Sequence, residues 1–280
     1  MTITKNIIIP GKHQKPILTD VFYSNDNILK PIIIFCHGYK GFKDWGAWDL
    51  MAKTFADSSF FFIKFNFSHN GGTIEQPIDF PDLEAFGNNN YIKELDDLEV
   101  VIDWICENSK FKTNSDISKI YLIGHSRAGG IVTIKAEEDD RIKKVVSLAG
   151  VCDFGKRTAT AGDLDIWKKD GVKYVLNGRT KQKMPHFYQF YENFIANEER
   201  LTIKRAVSNL KAPYLIIHGN ADTSVSIEEG KHLHKWNPGS KFVSIEGANH
   251  VFGASHPWEF NDLPEHLNIV IDKTVLFLNS

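Results

Sequence analysis

Cysteine is scarce in this chain. Cys36, Cys106 and Cys152 are the only three among 280 residues, and no Cys-x-x-Cys spacing occurs. An odd, scattered set argues against a disulfide framework or a thiolate zinc site, and each cysteine reads as a small buried hydrophobe. An excess of either charge is also lacking. Lys and Arg number 33 against 35 Asp and Glu, for a formal net charge of −2. Nothing therefore points to nucleic acid or an anionic membrane as a partner. The acidic run Glu137-Glu138-Asp139-Asp140 is short, is followed by Arg141, and reads as a solvated helix end. Long apolar runs are missing too. No stretch approaches the ~20 residues of a membrane span, and Ile7-Ile8-Ile9, ended by Pro10-Gly11, is too short for the apolar region of a signal peptide. These absences point to a cytoplasmic protein. There is no internal repeat and no low-complexity tract.

Short apolar runs are abundant and alternate with helical patterns. Pro31–Phe35, Phe60–Phe65, Ile120–Ile123, Val145–Leu148, Tyr214–Ile217 and Lys241–Ile245 read as strands. Nearly continuous apolar runs of this length suit strands covered on both faces, as in parallel sheets. Helix candidates lie between them: Trp45–Asp57, Ile92–Glu107, Arg127–Ala136, Ile227–Lys235 and Leu267–Leu278. In the second, Leu95, Leu98, Val101, Ile102 and Ile105 recur at helical spacing. This β–α alternation predicts an α/β architecture, a mostly parallel twisted sheet with helices on both faces. The segment before Gly11 and Ile17–Tyr23 predict an antiparallel entry hairpin. From about Phe154 to Arg205 the alternation stops. No clear strand is legible there, and aromatic residues such as Trp167, Tyr188, Phe190 and Tyr191 mix with many Lys and Arg. We expect residues 1–153 and 206–280 to form the core and 154–205 to form a mostly helical cap. That cap would lie over the carboxyl edge of the sheet, where ligands bind in such folds.

The most informative stretch is Ile120-Tyr121-Leu122-Ile123-Gly124-His125-Ser126-Arg127-Ala128-Gly129-Gly130. An apolar strand runs into Gly-His-Ser-Arg-Ala and a helical pattern follows at once, the context a nucleophile elbow requires. A serine there sits on a strained turn, its hydroxyl clear of the sheet, between small neighbours two residues away. Gly124 meets that need, and Ala128 stands where the usual pattern has glycine. The first N–H groups of the following helix lack internal partners, so the Arg127 N–H is placed to donate to an oxyanion. The competing reading is a glycine-rich strand–helix turn with a capping serine.

A second loop, His37-Gly38-Tyr39-Lys40-Gly41-Phe42-Lys43-Asp44, leaves the first core strand. It offers a second oxyanion donor, the backbone N–H near Tyr39, with Gly38 and Gly41 letting the backbone approach a ligand. It also reads as an ordinary βα loop with Asp44 capping the next helix. His37 reads as structural. Asp222 lies in the loop after the strand Tyr214–Ile217, where it can fix an imidazole tautomer and stabilise the imidazolium. His250 follows the last strand and is the best general base among 11 histidines. Ser126, Asp222, His250 is the chain order expected for this kind of triad. Asp153 is the rival acid and His256 the rival base. His125 flanks the serine as a packing residue, and His232, His234 and His266 read as surface residues.

Together these stretches resemble the α/β-hydrolase superfamily from about Pro31 to the C-terminus. His37-Gly38, Gly41, Lys43 and the Gly-His-Ser motif look most like its dienelactone-hydrolase-like and cinnamoyl (feruloyl) esterase-like branch. The resemblance implies Ser126 as nucleophile, Asp222 and His250 as its partners, and Tyr39 and Arg127 as backbone oxyanion donors. Two features depart from it. Ala128 replaces the last glycine of the motif, and Phe65–Gly71 stands where many relatives carry an Arg-Gly-His-Gly type of loop. Dienelactone hydrolases proper use cysteine, where this elbow has Ser126. The expected activity is cleavage of a small-molecule carboxylic ester through an acyl-enzyme, with no metal or organic cofactor needed. A thioesterase, a small-peptide hydrolase, and a non-catalytic binding protein on the same fold are the alternatives. The complete triad weighs against the last.

Overall fold

The computed structural model describes residues 1–159 and 163–280. Its strands are β1 (Thr2–Pro10), β2 (Pro16–Tyr23), β3 (Lys30–Cys36), β4 (Phe61–Phe65), β5 (Ser115–His125), β6 (Ile142–Leu148), β7 (Val172–Leu176), β8 (Lys183–Phe187), β9 (Tyr214–Gly219) and β10 (Lys241–Ile245). Eight of them form one sheet in the order β1-β2-β4-β3-β5-β6-β9-β10. β1 and β2 make the expected antiparallel hairpin, and β2 joins β4 antiparallel. Every other neighbour in the sheet is parallel. The chain leaves β3 for β4 on one side and returns to β5 on the other. The carboxyl ends of β3 and β5 therefore flank a crevice, with Cys36 opposite Gly124 in the register.

The helices are α1 (Trp48–Asp57), α2 (Leu83–Gly87), α3 (Tyr91–Glu107), α4 (Arg127–Glu138), α5 (Phe154–Ala159), α6 (Leu164–Asp170), α7 (Gln189–Ala196), α8 (Ile203–Asn209), α9 (Ile227–Trp236) and α10 (Glu265–Leu278). Alternation along β3 explains why helices cover both faces. Ile32, Ile34 and Cys36 pack with Leu95, Leu98, Ile102, Ile131 and Leu233 of α3, α4 and α9. Ile33 and Phe35 pack with Trp48, Met51, Phe55, Val270 and Ile271 of α1 and α10. α3 starts where Asn90 accepts from the Lys93 N–H at 3.0 Å. α1 begins three residues later than the periodicity suggests and has no side-chain cap. Asp44 does not cap it but pairs with Lys43 and Lys64.

The segment between β6 and β9 holds α5, α6, α7, α8 and, unexpectedly, an antiparallel hairpin of β7 with β8. The expected cap includes residues 160–162, which lie outside the described residues. Helices supply more of the described segment than strands do, but the hairpin corrects the reading that no strand occurs there. β7 is only partly buried, and Lys173 interrupts its apolar residues, so it lacks the longer apolar run that marks the buried strands. Among the described residues, no helix is long and apolar enough to cross a membrane.

Candidate active site

Strand β5 ends in a turn that the local sequence dictates. Ser126 has φ 58° and ψ −119°, a left-handed conformation unusual for a residue with a side chain. The turn is pinned from three directions. The Ser126 N–H donates to the Leu148 carbonyl at 2.9 Å, and the Ser126 carbonyl accepts from Gly129 at 3.0 Å and Val151 at 3.2 Å. Strand and helix close so tightly that a Cβ at position 124 would lie 2.2 Å from the Ala128 carbonyl oxygen. Glycine is obligatory there. The Ala128 methyl is buried in the core, so the alanine is accommodated where the motif has glycine.

His250 and Asp222 arrive from the carboxyl ends of β10 and β9. His250 Nε2 lies 3.0 Å from Ser126 Oγ, and His250 Nδ1 lies 2.7 Å from Asp222 Oδ2. The other Asp222 oxygen accepts from the Ser224 and Val225 N–H groups at 2.8 and 2.9 Å. Burial works to raise the Asp222 pKa. Hydrogen bonds from His218, His250 and the Val225 N–H outweigh it and hold the carboxyl well below the usual range. An ionised, acceptor-only Asp222 requires Nδ1 of His250 to carry its proton, which leaves the Nε2 lone pair facing the Ser126 hydroxyl.

The neighbouring histidines have other duties. His125 Nε2–H donates to the His250 carbonyl at 2.8 Å, tying down the backbone of residue 250. Burial takes its pKa down to about 3. His37 Nδ1–H donates to the Gly38 carbonyl at 2.9 Å, and burial lowers its pKa to about 4. Both are therefore neutral packing residues. His256 accepts from the Gly46 N–H at 2.9 Å, and Asp153 accepts from the Lys156 N–H at 3.1 Å. Neither joins Ser126.

The loop after β3 presses against the serine. A Cβ on Gly38 would lie 2.8 Å from Ser126 Cβ, and one on Gly41 would lie 2.8 Å from the Gly38 carbonyl oxygen. These glycines let the loop close on the elbow and on itself. Among the described residues, the Tyr39 N–H finds no hydrogen-bond acceptor, and the Arg127 N–H opens α4. Arg127 follows the serine in the chain, and Tyr39 lines the same cavities as Ser126.

Their side chains also meet. The Arg127 guanidinium lies over the Tyr39 ring, 4.3 Å from its centroid, and donates to Glu94 at 3.2 Å. The Tyr39 hydroxyl, which burial pushes up to about 12, donates to His186 Nε2 of β8 at 2.7 Å. Sequence reasoning missed this link to the hairpin. It also missed the anchor at the far end of the loop, where Lys43, Lys64, Asp20, Asp44 and Asp49 form a buried charge network. The three carboxylates are close enough to suggest a cation site, but the ammonium groups of Lys43, Lys64 and Lys5 already pair with them, three charges against three.

Ser126 lies between two cavities. The larger, of about 400 Å³, is walled by Tyr91, Phe154 and Phe190 from one side and by Val175 and His186 of the hairpin from another. The smaller, of about 240 Å³, is lined by Trp45, Trp48 and Arg179. Lys40 and His250 reach both.

The model of the family described as the alpha/beta hydrolase fold matches residues 31–183. No curated protein matches by sequence. Among solved structures, Est1E from Butyrivibrio proteoclasticus with ferulic acid bound superposes with a TM-score of 0.72 at 18% identity, over 98% of each chain. The complex of DcsB with its substrate analogue gives 0.73 at 17% identity, over 99% of this chain and 98% of that one. Dienelactone hydrolase from Anabaena variabilis gives 0.65 at 16% identity, over 100% and 98%. At these identities the likeness is one of fold.

Proposed function

We propose that this chain, which belongs to the alpha/beta hydrolase fold family, is a serine hydrolase that cleaves carboxylic esters through an acyl-enzyme. The observation that carries the reading is the relay from Asp222 to His250 to Ser126, with contacts of 2.7 and 3.0 Å, on a strained elbow beside two backbone donors. A hydroxyl able to attack a carbonyl carbon, a base already hydrogen-bonded to it, and an acid fixing that base are the parts acyl transfer needs.

In this reading, Ser126 Oγ attacks the ester carbonyl while its proton passes to His250 Nε2. The imidazolium is stabilised by Asp222. The negative oxygen of the tetrahedral intermediate is held by the Tyr39 and Arg127 N–H groups, fixed before the reaction begins. Collapse breaks the carbonyl–alkoxide bond, and His250 returns the proton to the departing alcohol. Water, deprotonated by His250, then attacks the acyl-enzyme. A second collapse frees the acid and restores the serine. The side chains and backbone N–H groups of this chain, with water, suffice for each step, so the reading calls for no cofactor. Residues 154–205 serve as the cap over the acyl site, in a cytoplasmic enzyme acting on a small ester.

A panel of para-nitrophenyl esters, acyl-CoA thioesters and aminoacyl anilides tests the reading. We expect the esters to be turned over fastest, and Ser126→Ala to lower kcat by ~10⁴ or more. Thioester or anilide turnover far above that of every ester would reassign the substrate. Near-full activity of Ser126→Ala would remove Ser126 from the reaction.

A further inference from the structure

The wall of the larger cavity carries charge of one sign. Lys40, Arg127, Arg157 and Lys173 line it, and among the described residues no Asp or Glu does. Two of the four are balanced from behind, Arg127 by Glu94 and Arg157 by Glu229. Lys173 lies 3.6 Å from the centroid of the Trp167 ring. Lys40 is different. It follows the Tyr39 donor directly and is half-buried. Burial and then the Arg127 charge both push its pKa down, with no carboxylate opposing them. The same field reaches the hairpin. Burial, then Arg127, Lys173 and Lys40, bring the His186 imidazole down to about 3.

A half-buried cation facing a concave wall, with another cation beside it and no counter-charge, is stabilised by an incoming anion. A concave, low-dielectric wall of one sign also concentrates ligands of the opposite sign. The wall is aromatic as well, with Tyr91 and Phe154 stacked at 4.0 Å. We infer that the larger cavity holds the acyl part of an ester that carries a carboxylate, and that Lys40 is the residue that selects for it. The inference rests on the hydrolase reading above.

The test uses two esters alike in shape and different in charge: the mono-para-nitrophenyl ester of terephthalic acid and the para-nitrophenyl ester of terephthalamic acid. kcat/KM is measured for both at low and high salt, in the wild type, Lys40→Met and Lys40→Arg. The ratio of the two values is the readout, so a general loss of activity in a variant cancels. We expect the wild type to favour the carboxylate ester about tenfold, the scale of one charge-assisted hydrogen bond. Added salt should shrink that preference. Lys40→Met should bring the ratio close to unity, and Lys40→Arg should keep most of it. Equal turnover of both esters by the wild type overturns the inference and leaves the hydrolase reading standing. A preference unchanged in Lys40→Met overturns the role of Lys40. Turnover of neither ester also overturns the inference, and whether a fluorophosphonate still labels Ser126 then decides if the hydrolase reading falls with it.

Discussion

Replacing Asp222 by Asn is the most informative single change, because the structure dictates how the amide must sit. Asp222 Oδ1 accepts two backbone N–H groups, from Ser224 and Val225. An amide nitrogen cannot take that place, since donor would face donor. The Asn oxygen must stay with the backbone, and its NH₂ must turn toward His250 Nδ1, 2.7 Å away in the wild type. The imidazole then has to accept at Nδ1 and carry its proton on Nε2. That proton points at Ser126 Oγ, 3.0 Å away, so His250 no longer accepts the proton of the serine. The geometry survives and the base is lost. Serine hydrolases altered in this way lose about 10⁴ in kcat, or about 5 kcal/mol of transition-state stabilisation. We expect Asp222→Asn to fold normally by circular dichroism and to lose kcat on that scale in a para-nitrophenyl ester assay, with KM much less affected. A loss below tenfold in a folded variant would refute the tautomer argument.

Other predictions follow from packing and burial. Gly124→Ala places a Cβ within 2.2 Å of the Ala128 carbonyl oxygen, so the strand and helix must part. We expect a lowered Tm and loss of labelling at Ser126, whereas Ala128→Gly should cost only about 2 kcal/mol in chemical denaturation, the helix cost of glycine plus one buried methyl. Asp97 is buried, accepts the Ser68 N–H at 2.8 Å, and has a second oxygen without a partner among the described residues. Burial, opposed by the Ser68 hydrogen bonds, raises its pKa to about 7. A carboxyl with a raised folded pKa favours the protonated native state, so its contribution is full below about pH 4 and fades as pH rises through 7. That contribution is on the order of 4 kcal/mol. Denaturation curves of Asp97→Asn should therefore fall less between pH 4 and pH 8 than those of the wild type. Parallel curves would place the titration elsewhere.

What the sequence made legible were features written locally. The buried strands of the parallel sheet announce themselves as apolar runs, and the elbow as a strand, a Gly-His-Ser-Arg-Ala turn and a helix in direct succession. The hairpin of β7 and β8 was missed because Val172-Lys173-Tyr174-Val175-Leu176 lies on the surface and mixes charge with apolar residues. Asn177-Gly178 in its connection is a turn signal that could have revealed it. Asp44 was misread for a related reason. A helix cap is a local pattern, but its actual partners, Lys43 and Lys64, belong to a network that also draws Asp20 from β2. The bond between Tyr39 and His186 joins residues 147 positions apart. No periodicity or motif in a single sequence encodes such a pair, and it exists only because the hairpin folds back over the crevice.

The central claim concerns one hydroxyl, and covalent trapping addresses it directly. Folded protein is treated with a fluorophosphonate, and the adduct is located by intact mass and peptide mapping. The account predicts one equivalent of label on Ser126, absent from Ser126→Ala and strongly slowed in His250→Ala. A well-folded protein that takes no label, or takes it at another residue, would contradict it.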